Sequence, residues 1–537
     1  MKRIVIIGNG YPAGKAVRRA GRIHPKADIV WISDFDEDKY SLYMLNMLLN
    51  SGARVDDWSR IRARIKVDFE KYQQNIKLFP QKVKKIRITP EESEISFLTS
   101  MGNTSYSFDK VLIFTPKVVA HPENLPDDQH VWPGDSCVQH LVNNWENIQD
   151  PVVVGSDMSL VQALVRGEKE FVWVRTGNAF SKQVQFFMDN HLERLGVRIV
   201  PAGPDTDTAE ILKKEAGQGI RPVFSCGHCR TDHTRLEGYG LKEEDTSFQG
   251  PDNPYARNVV LIDASGAADA YCLGFSPETQ LARSLKMVEA ALENGEYSPG
   301  SQDTIFWNLG FLSAAKTGLD AAGAQQIGYV PEFALIHGSH GMSMDKPYVL
   351  NMVMDKSARK IIGLEAVGEK AHEWVNLAAC LARKGSTVED ISDYDIVWPD
   401  LVINPFTRCA KMLENKSLPG IVGITPDELK ESANDGAVFY LLDVRNKDEF
   451  ARGRLPWASN IPLSQLKKRV MEIPRLTPIV LYSECSGRAY EAARLLKGMG
   501  ARQLYVLDGG YGLYTLDRDL APLSPEQSGA GGTCPGC

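Results

Sequence analysis

The sequence predicts an α/β protein of several domains built on parallel sheets, and three stretches carry that reading. "RIVIIGNGYPAGKAVRRAGR" (3–22) runs from a β-branched strand through a glycine turn into a helix. "PVVVG" (151–155) repeats the strand and turn, and "IVLYSECSGRAYEAARLLKGMG" (479–500) is again strand, loop and helix. Short apolar runs bounded by turn residues and followed by helical patterns indicate buried parallel strands with crossover helices. A chain of 537 residues holds about three or four domains of roughly 100–200 residues each.

Composition excludes several classes. With 43% hydrophobic residues and a net charge of −7, the chain can bury several cores but offers no basic footprint for nucleic acid. No apolar run reaches the ~18 residues a membrane helix needs. The start, Met1-Lys-Arg and then directly the strand Ile4–Ile7, carries no leader pattern, so a cytoplasmic protein is expected. Of nine cysteines, four form two Cys-x-x-Cys pairs, Cys226/Cys229 and Cys534/Cys537. In a reducing compartment such pairs indicate redox or metal chemistry more than structural disulfides.

The first turn is the clearest local signal. Gly8, Gly10 and Ala13, with Gly14 beside them in the helix, fit G-x-G-x-x-A. The glycines allow a tight turn and a close approach to a pyrophosphate, whose charge the helix N-terminus stabilises. The next strand, Ile29–Ile32, ends at Ser33-Asp34, about 20 residues on, where a carboxylate can accept hydrogen bonds from a ribose. The expectation is a bound adenine dinucleotide; the alternative is an ordinary βα turn.

Further along, "FDKVLIFTP" (108–116), "YVLNMVMDKSARKIIGLEAVG" (348–368), the Asn376-Leu-Ala-Ala helix and "YDIVWPDLVINPFTRCAKM" (394–412) resemble the pyridine-nucleotide disulfide oxidoreductases. The similarity is to the coenzyme A disulfide reductase and NADH-dependent persulfide reductase branch, with a C-terminal rhodanese, and covers nearly the whole chain. It implies an FAD-binding Rossmann-like domain (1–117) interrupted by an NAD-binding-like domain (118–254) and resumed at 255–325. An α+β dimerisation domain (326–420), a rhodanese-like α/β domain (424–521) and a flexible tail (522–537) would follow. The resemblance also implies FAD, a homodimer, and Asp263 as a ligand of the flavin ribityl chain.

The chain departs from that family at its reactive positions. Where the single-cysteine branch has its flavin-proximal thiol, this chain reads "YSLYMLNMLLNSG", with Leu45 near that place and a packed helix expected. After Val154 the triple glycine is replaced by Gly155-Ser156-Asp157, and Arg175 stands where an acid is common. Whether NADH or NADPH binds is left open, but the lost glycines predict slow or no reduction by NADH.

"FSCGHCRTDH" (224–233) places Cys226, Cys229, His228 and His233 together. Three readings stand: a redox dithiol whose thiolate the histidine favours, a metal knuckle, or a plain loop. Near the end, Asp443-Val-Arg445, Asn460-Ile-Pro462 and "VLDGGYGLY" resemble a rhodanese. Counting back from Arg488 puts Ser483, not Cys485, at the nucleophile position. Either sulfur transfer is lost or Cys485 serves from a shifted place; Gly487 and Arg488 keep an anion-binding potential in both cases. Cys137, Cys272, Cys380 and Cys409 are expected to be small buried residues. The tail "PLSPEQSGAGG" is a polar tether that lets Cys534 and Cys537 roam, as a relay to Cys226 and Cys229 or as half of a four-cysteine metal site. The expected function is an FAD-dependent oxidoreductase exchanging electrons between flavin, cysteine pairs and a thiol, disulfide or redox-protein partner. The alternative is a non-catalytic flavoprotein-derived scaffold or electron-transfer subunit.

Overall fold

The computed structural model describes, with short breaks, residues 2–32, 76–156, 158–231, 258–262, 277–293, 304–339, 347–396 and 404–516. Leu45, Asp34, Asp157, Asp263, Cys137, Cys272, His233, Cys534 and Cys537 lie outside the described residues, as do the side chains of Cys226, His228 and Cys229. The chain divides into two compact units, one of residues 1–177 and 195–300, the other of 178–194 and 301–537.

The first unit contains two parallel sheets. In one, Arg3–Ile7 lies between Asp28–Ile32 and Lys110–Phe114, with Ile76–Phe79 and Val259–Ile262 at the edges. Ile4, Ile6, Ile29 and Trp31 on one face bury against Ala13, Ala16 and Val17 of the helix Gly10–Ile23 and against Met287 and Val288 of the helix Pro277–Glu293. On the other face Val5, Ile7, Val30 and Ile113 bury against Ile88 and Ile95 of a three-stranded antiparallel sheet. The strand Val259–Ile262 and the helix Pro277–Glu293, late in the chain, thus belong to the first sheet and its core.

The second sheet has the order Val197–Pro201, Phe171–Arg175, Val152–Val154, Val223–Cys226, His130–Trp132, all parallel. Both sheets use one device at their central turn. Gly8 and Gly155 adopt φ +151° and +124°, and each donates its N–H to the neighbouring strand, at Ile32 O and Val174 O. The indole N–H of Trp31 donates to Gly8 O at 3.0 Å, and that of Trp173 to Gly155 O at 2.8 Å. Trp173→Phe keeps the ring but removes the donor, and should destabilise the protein by about 1–3 kcal/mol by leaving a buried carbonyl unpaired. Urea unfolding measures this, and an unchanged midpoint would show that the lock contributes nothing.

The second unit joins an antiparallel sheet to a parallel one. The antiparallel order is Ile305–Leu309, Leu312–Gly318, Lys360–Gly368, Pro347–Asp355, Pro331–Ser339. The boundary expected at residue 325 is therefore corrected: 305–318 belongs to the sheet assigned to 326–420, because Leu312–Gly318 pairs with Lys360–Gly368 from Ser313↔Gly368 to Gly318↔Gly363. The helices Ala371–Lys384 and Pro405–Lys416 bury Trp374, Val375, Phe406 and Leu413 against one face. On this sheet the buried Glu365 accepts the backbone N–H of Ser181 at 2.9 Å, its hydroxyl at 2.5 Å and the Asn351 amide at 3.1 Å. It thereby anchors the start of the helix Lys182–Arg194.

The parallel sheet of the second unit has the order Ile421–Ile424, Leu504–Leu507, Ile479–Tyr482, Tyr440–Asp443, Ser459–Asn460. One apolar cluster runs from Leu350 and Leu364 of the antiparallel sheet through Phe406 and Leu413 to Leu442, Leu481 and Val506. The two sheets of this unit share a core.

Candidate functional site

Two places combine the residue types and geometry that chemistry requires. At the first, Gly8 ends the central strand, and a Cβ there would stand 2.6 Å from Phe114 Cβ, so glycine is obligatory on space as well as on backbone angle. Gly10 opens the helix, and Ala13 (fully buried) and Gly14 keep its first turn close to the strand. No acidic side chain occupies that turn. The backbone N–H groups face the carboxyl end of the sheet with a positive helix end, as a pyrophosphate requires. This chain's residues fit a dinucleotide there.

The second place is the loop 483–488 between the fully buried strand Ile479–Tyr482 and the helix Gly487–Gly498. Ser483 has no exposed surface; its hydroxyl accepts the Ala489 N–H at 3.2 Å and its carbonyl the Tyr511 N–H at 2.8 Å. The residue at the counted nucleophile position therefore caps the helix. Cys485 is a free, half-buried thiol, and its carbonyl accepts the Gly487 N–H at 2.8 Å.

Arg488 of the loop and Arg445 beside it are already paired with carboxylates. Arg488 makes two bonds to the Glu449 carboxylate, 2.7 and 2.6 Å. Arg445, 2% exposed, bonds Asp443 at 2.9 Å, Glu484 at 2.9 Å and Gly453 O at 2.6 Å, and stacks over the Tyr511 ring at 4.1 Å. The expected anion-binding potential of Arg488 is thus corrected: the guanidinium is held by a carboxylate. That hydrogen-bonded guanidinium pulls Glu449 down to about 2, against the opposing effect of burial. Because the folded value is depressed, the pair contributes stability above the ordinary glutamate value of about 4.3 and loses it only as pH falls through about 2. Arg488 stays occupied at neutral pH.

The surrounding module adds residues that the sequence pattern does not reveal. His337 of the antiparallel sheet meets Glu484 O at 2.7 Å through Nε2, and Gly509 N–H donates to Leu335 O at 3.2 Å. The Arg408 guanidinium lies so close to Gly487 that a Cβ there would be 2.6 Å from Nη2. These are contacts between segments far apart in sequence, without any local signature. Of the isolated cysteines, Cys409 is buried, and burial pushes its thiol far above the ordinary range, whereas Cys380 is exposed, contrary to expectation.

Cys226 ends the strand Val223–Cys226, and Cys229 belongs to the strand His228–Thr231, which pairs antiparallel with Lys117–Ala120. Among the described residues, no group of three or more His, Cys, Asp or Glu could hold a metal ion, and no helix is long and apolar enough to cross a membrane.

Comparison with known proteins agrees with this architecture. The reduced CoADR-RHD of Bacillus anthracis superposes with a TM-score of 0.76 at 16% identity, over 96% of this chain and 98% of that one. A NAD-dependent persulfide reductase from A. fulgidus gives 0.72 at 18% identity, over 95% and 99%. The chain thus has the fold of the pyridine nucleotide-disulfide oxidoreductases that carry a C-terminal rhodanese. Residues 425–516 match the Rhodanese-like domain family. The "Sulfurtransferase" of Allochromatium vinosum is 30% identical over 87 residues, 16% of this chain and 81% of that protein. Protein YqhL of Bacillus subtilis is 45% identical over 71 residues, 13% of this chain, and the match spans only 56% of its length. The C-terminal module belongs to the rhodanese-like family.

With Ser483 buried and Arg445 and Arg488 paired with carboxylates, the full chain should turn over thiosulfate with cyanide at near-background rates, unchanged in Cys485→Ser. Brisk turnover abolished by that substitution would make Cys485 the shifted nucleophile.

Proposed function

We propose that this chain is an FAD-dependent oxidoreductase that exchanges electrons between its flavin and cysteine pairs and acts on a thiol, disulfide or other sulfur-containing partner. The observation that carries the reading is the first turn: Gly8 at φ +151°, its carbonyl tied to Trp31, and a small buried Ala13 at the head of the helix. Gly8, Gly10, Ala13 and Gly14 would hold the pyrophosphate, Asp34 the adenosine ribose and Asp263 the ribityl chain. Bound there, FAD would supply two-electron chemistry between a donor and a disulfide. This chain's residues bind and orient it, and the cysteine pairs Cys226/Cys229 and Cys534/Cys537 carry electrons to the partner. The rhodanese-like module, with its thiol loop clamped, serves as a docking surface for that partner, and the protein works as a homodimer.

The test is to denature purified protein and identify the released chromophore. The expected result is FAD, about one per chain. FMN, or no flavin together with no uptake of added FAD, would overturn the reading.

A further inference from the structure

The parallel sheet of the rhodanese-like module ends on the two-residue strand Ser459–Asn460, paired parallel with Tyr440–Asp443; among the described residues no further strand follows it. The Ile461 N–H donates to Asp443 O at 3.0 Å, so Ser459 and Ile461 direct their main-chain groups into the sheet. Alternation along the strand then turns the N–H and carbonyl of Asn460 outward. The Asn460 side chain is turned the other way: its amide reaches back to Asp443 O at 3.0 Å and Arg445 O at 2.9 Å.

Beside this edge lies a groove with about 580 Å³ of room, lined by Tyr440, Lys447, Phe450, Ser459, Asn460 and Arg469. Its charge is positive. Lys447 is exposed, and Arg454 lies over the Phe450 ring at 5.0 Å; among the described residues neither has an ion-pair partner. Both are thus free to meet an anion, unlike Arg445 and Arg488 of the thiol loop. Of the described lining residues only Glu472 is acidic, and Arg469 holds it at 2.7 and 2.6 Å. That pair is a solvent-exposed one three residues apart on the chain, weak enough for another carboxylate to compete for the guanidinium. Between Lys447 and Glu472 six lysines and arginines stand against three carboxylates, in a chain whose net charge is −7. Met471, between two residues that border the groove, is 76% exposed and gives its rim an apolar contact.

We propose that this edge takes an extended acidic segment of a partner protein. The segment adds a short strand beside Ser459–Asn460, with its carboxylates against Lys447 and Arg454. Main-chain hydrogen bonds to the outward N–H and carbonyl of Asn460 fix its register, and the charges steer and select it. A free anion would use the charges alone, whereas an extended peptide uses the charges and the strand edge together.

The inference rests on the docking role given to this module above, and names its surface and the chemistry of its partner. An edge strand of two residues offers few main-chain bonds. The complex is therefore weak and short-lived, as encounters between redox proteins are.

The probe is a fluorescein-labelled nonapeptide of alternating glutamate and valine, which as a strand presents its carboxylates on one face. Titrated with the full chain, its anisotropy should saturate with a Kd of about 10–100 μM in ~0.1 M salt. Binding should weaken at least about tenfold at ~1 M salt, where the screening length falls from about 10 Å to about 3 Å. Lys447→Glu combined with Arg454→Glu, both at exposed positions, should weaken it at least about tenfold. Hydrogen exchange read by mass spectrometry should slow across residues 458–461 when the peptide is added. No saturation by about 1 mM overturns the proposal whether or not the variant folds. So does equal binding of a lysine–valine peptide, an unchanged Kd in the double variant, displacement by an equal concentration of inorganic phosphate, or unchanged exchange at 458–461. Flavin content of the same samples is scored separately: flavin-free protein that binds the peptide counts against the proposed function, and flavin-loaded protein that fails these tests counts against this inference alone.

Discussion

Lys416→Met is expected to lower the stability of the C-terminal unit by about 3–5 kcal/mol, the usual cost of breaking one partner of a buried ion pair. The Lys416 side chain is 1% exposed; its ammonium meets the fully buried Asp508 at 2.7 Å and Glu332 at 3.3 Å, and lies over the Phe333 ring at 4.5 Å. Tyr490 donates to the other Asp508 oxygen at 2.7 Å. Burial raises the Asp508 carboxyl, and Lys416 is the chief opposing influence. In the variant Asp508 is left with Tyr490 and must take up a proton to stay buried. Its folded value then lies above the unfolded one, so the deficit should grow as pH rises above about 4 and shrink in acid. Replacing both partners, Lys416→Met with Asp508→Leu, should cost less than the single change. Because Lys416 ends a helix of the antiparallel module and Asp508 belongs to the rhodanese-like module, both should melt in one transition. Calorimetry showing two transitions, with only the later one shifted, would contradict the shared core.

Gly8→Val should reduce retained flavin to near zero. A branched side chain cannot adopt φ +151° without strain, and its first carbon would already overlap Phe114 Cβ at 2.6 Å. Moving that backbone also displaces the N–H groups meant for the pyrophosphate. The second unit lacks this turn, so its melting transition is an internal control: it should persist. Retention of flavin at the wild-type level would exclude the Gly8 turn as the cofactor site.

The parts of this structure legible in the sequence are those whose physics confines a position to few residue types. Gly8 could be read because only glycine meets both its angle and its contact. The strand–loop–helix around Ser483 could be read because the apolar run Ile479–Tyr482 is buried throughout. The domain boundary near residue 325 could not, since Leu312–Gly318 is assigned to its sheet by pairing with residues about fifty positions later. Nor could the pairing of Arg488 with Glu449, which turns an apparent anion site into a closed ion pair. An arginine in a motif has the same letter whether its charge is free or taken.

Electronic coupling of a flavin to the cysteine pairs can be read from anaerobic titration of the purified protein with dithionite while the visible flavin bands are followed. Flavin and each disulfide are two-electron couples, so full reduction should consume about four electrons per chain or more, with loss of the flavin bands lagging or leading thiol formation. Bleaching complete at about two electrons per chain, with no new thiols, or a protein without flavin bands, would contradict it.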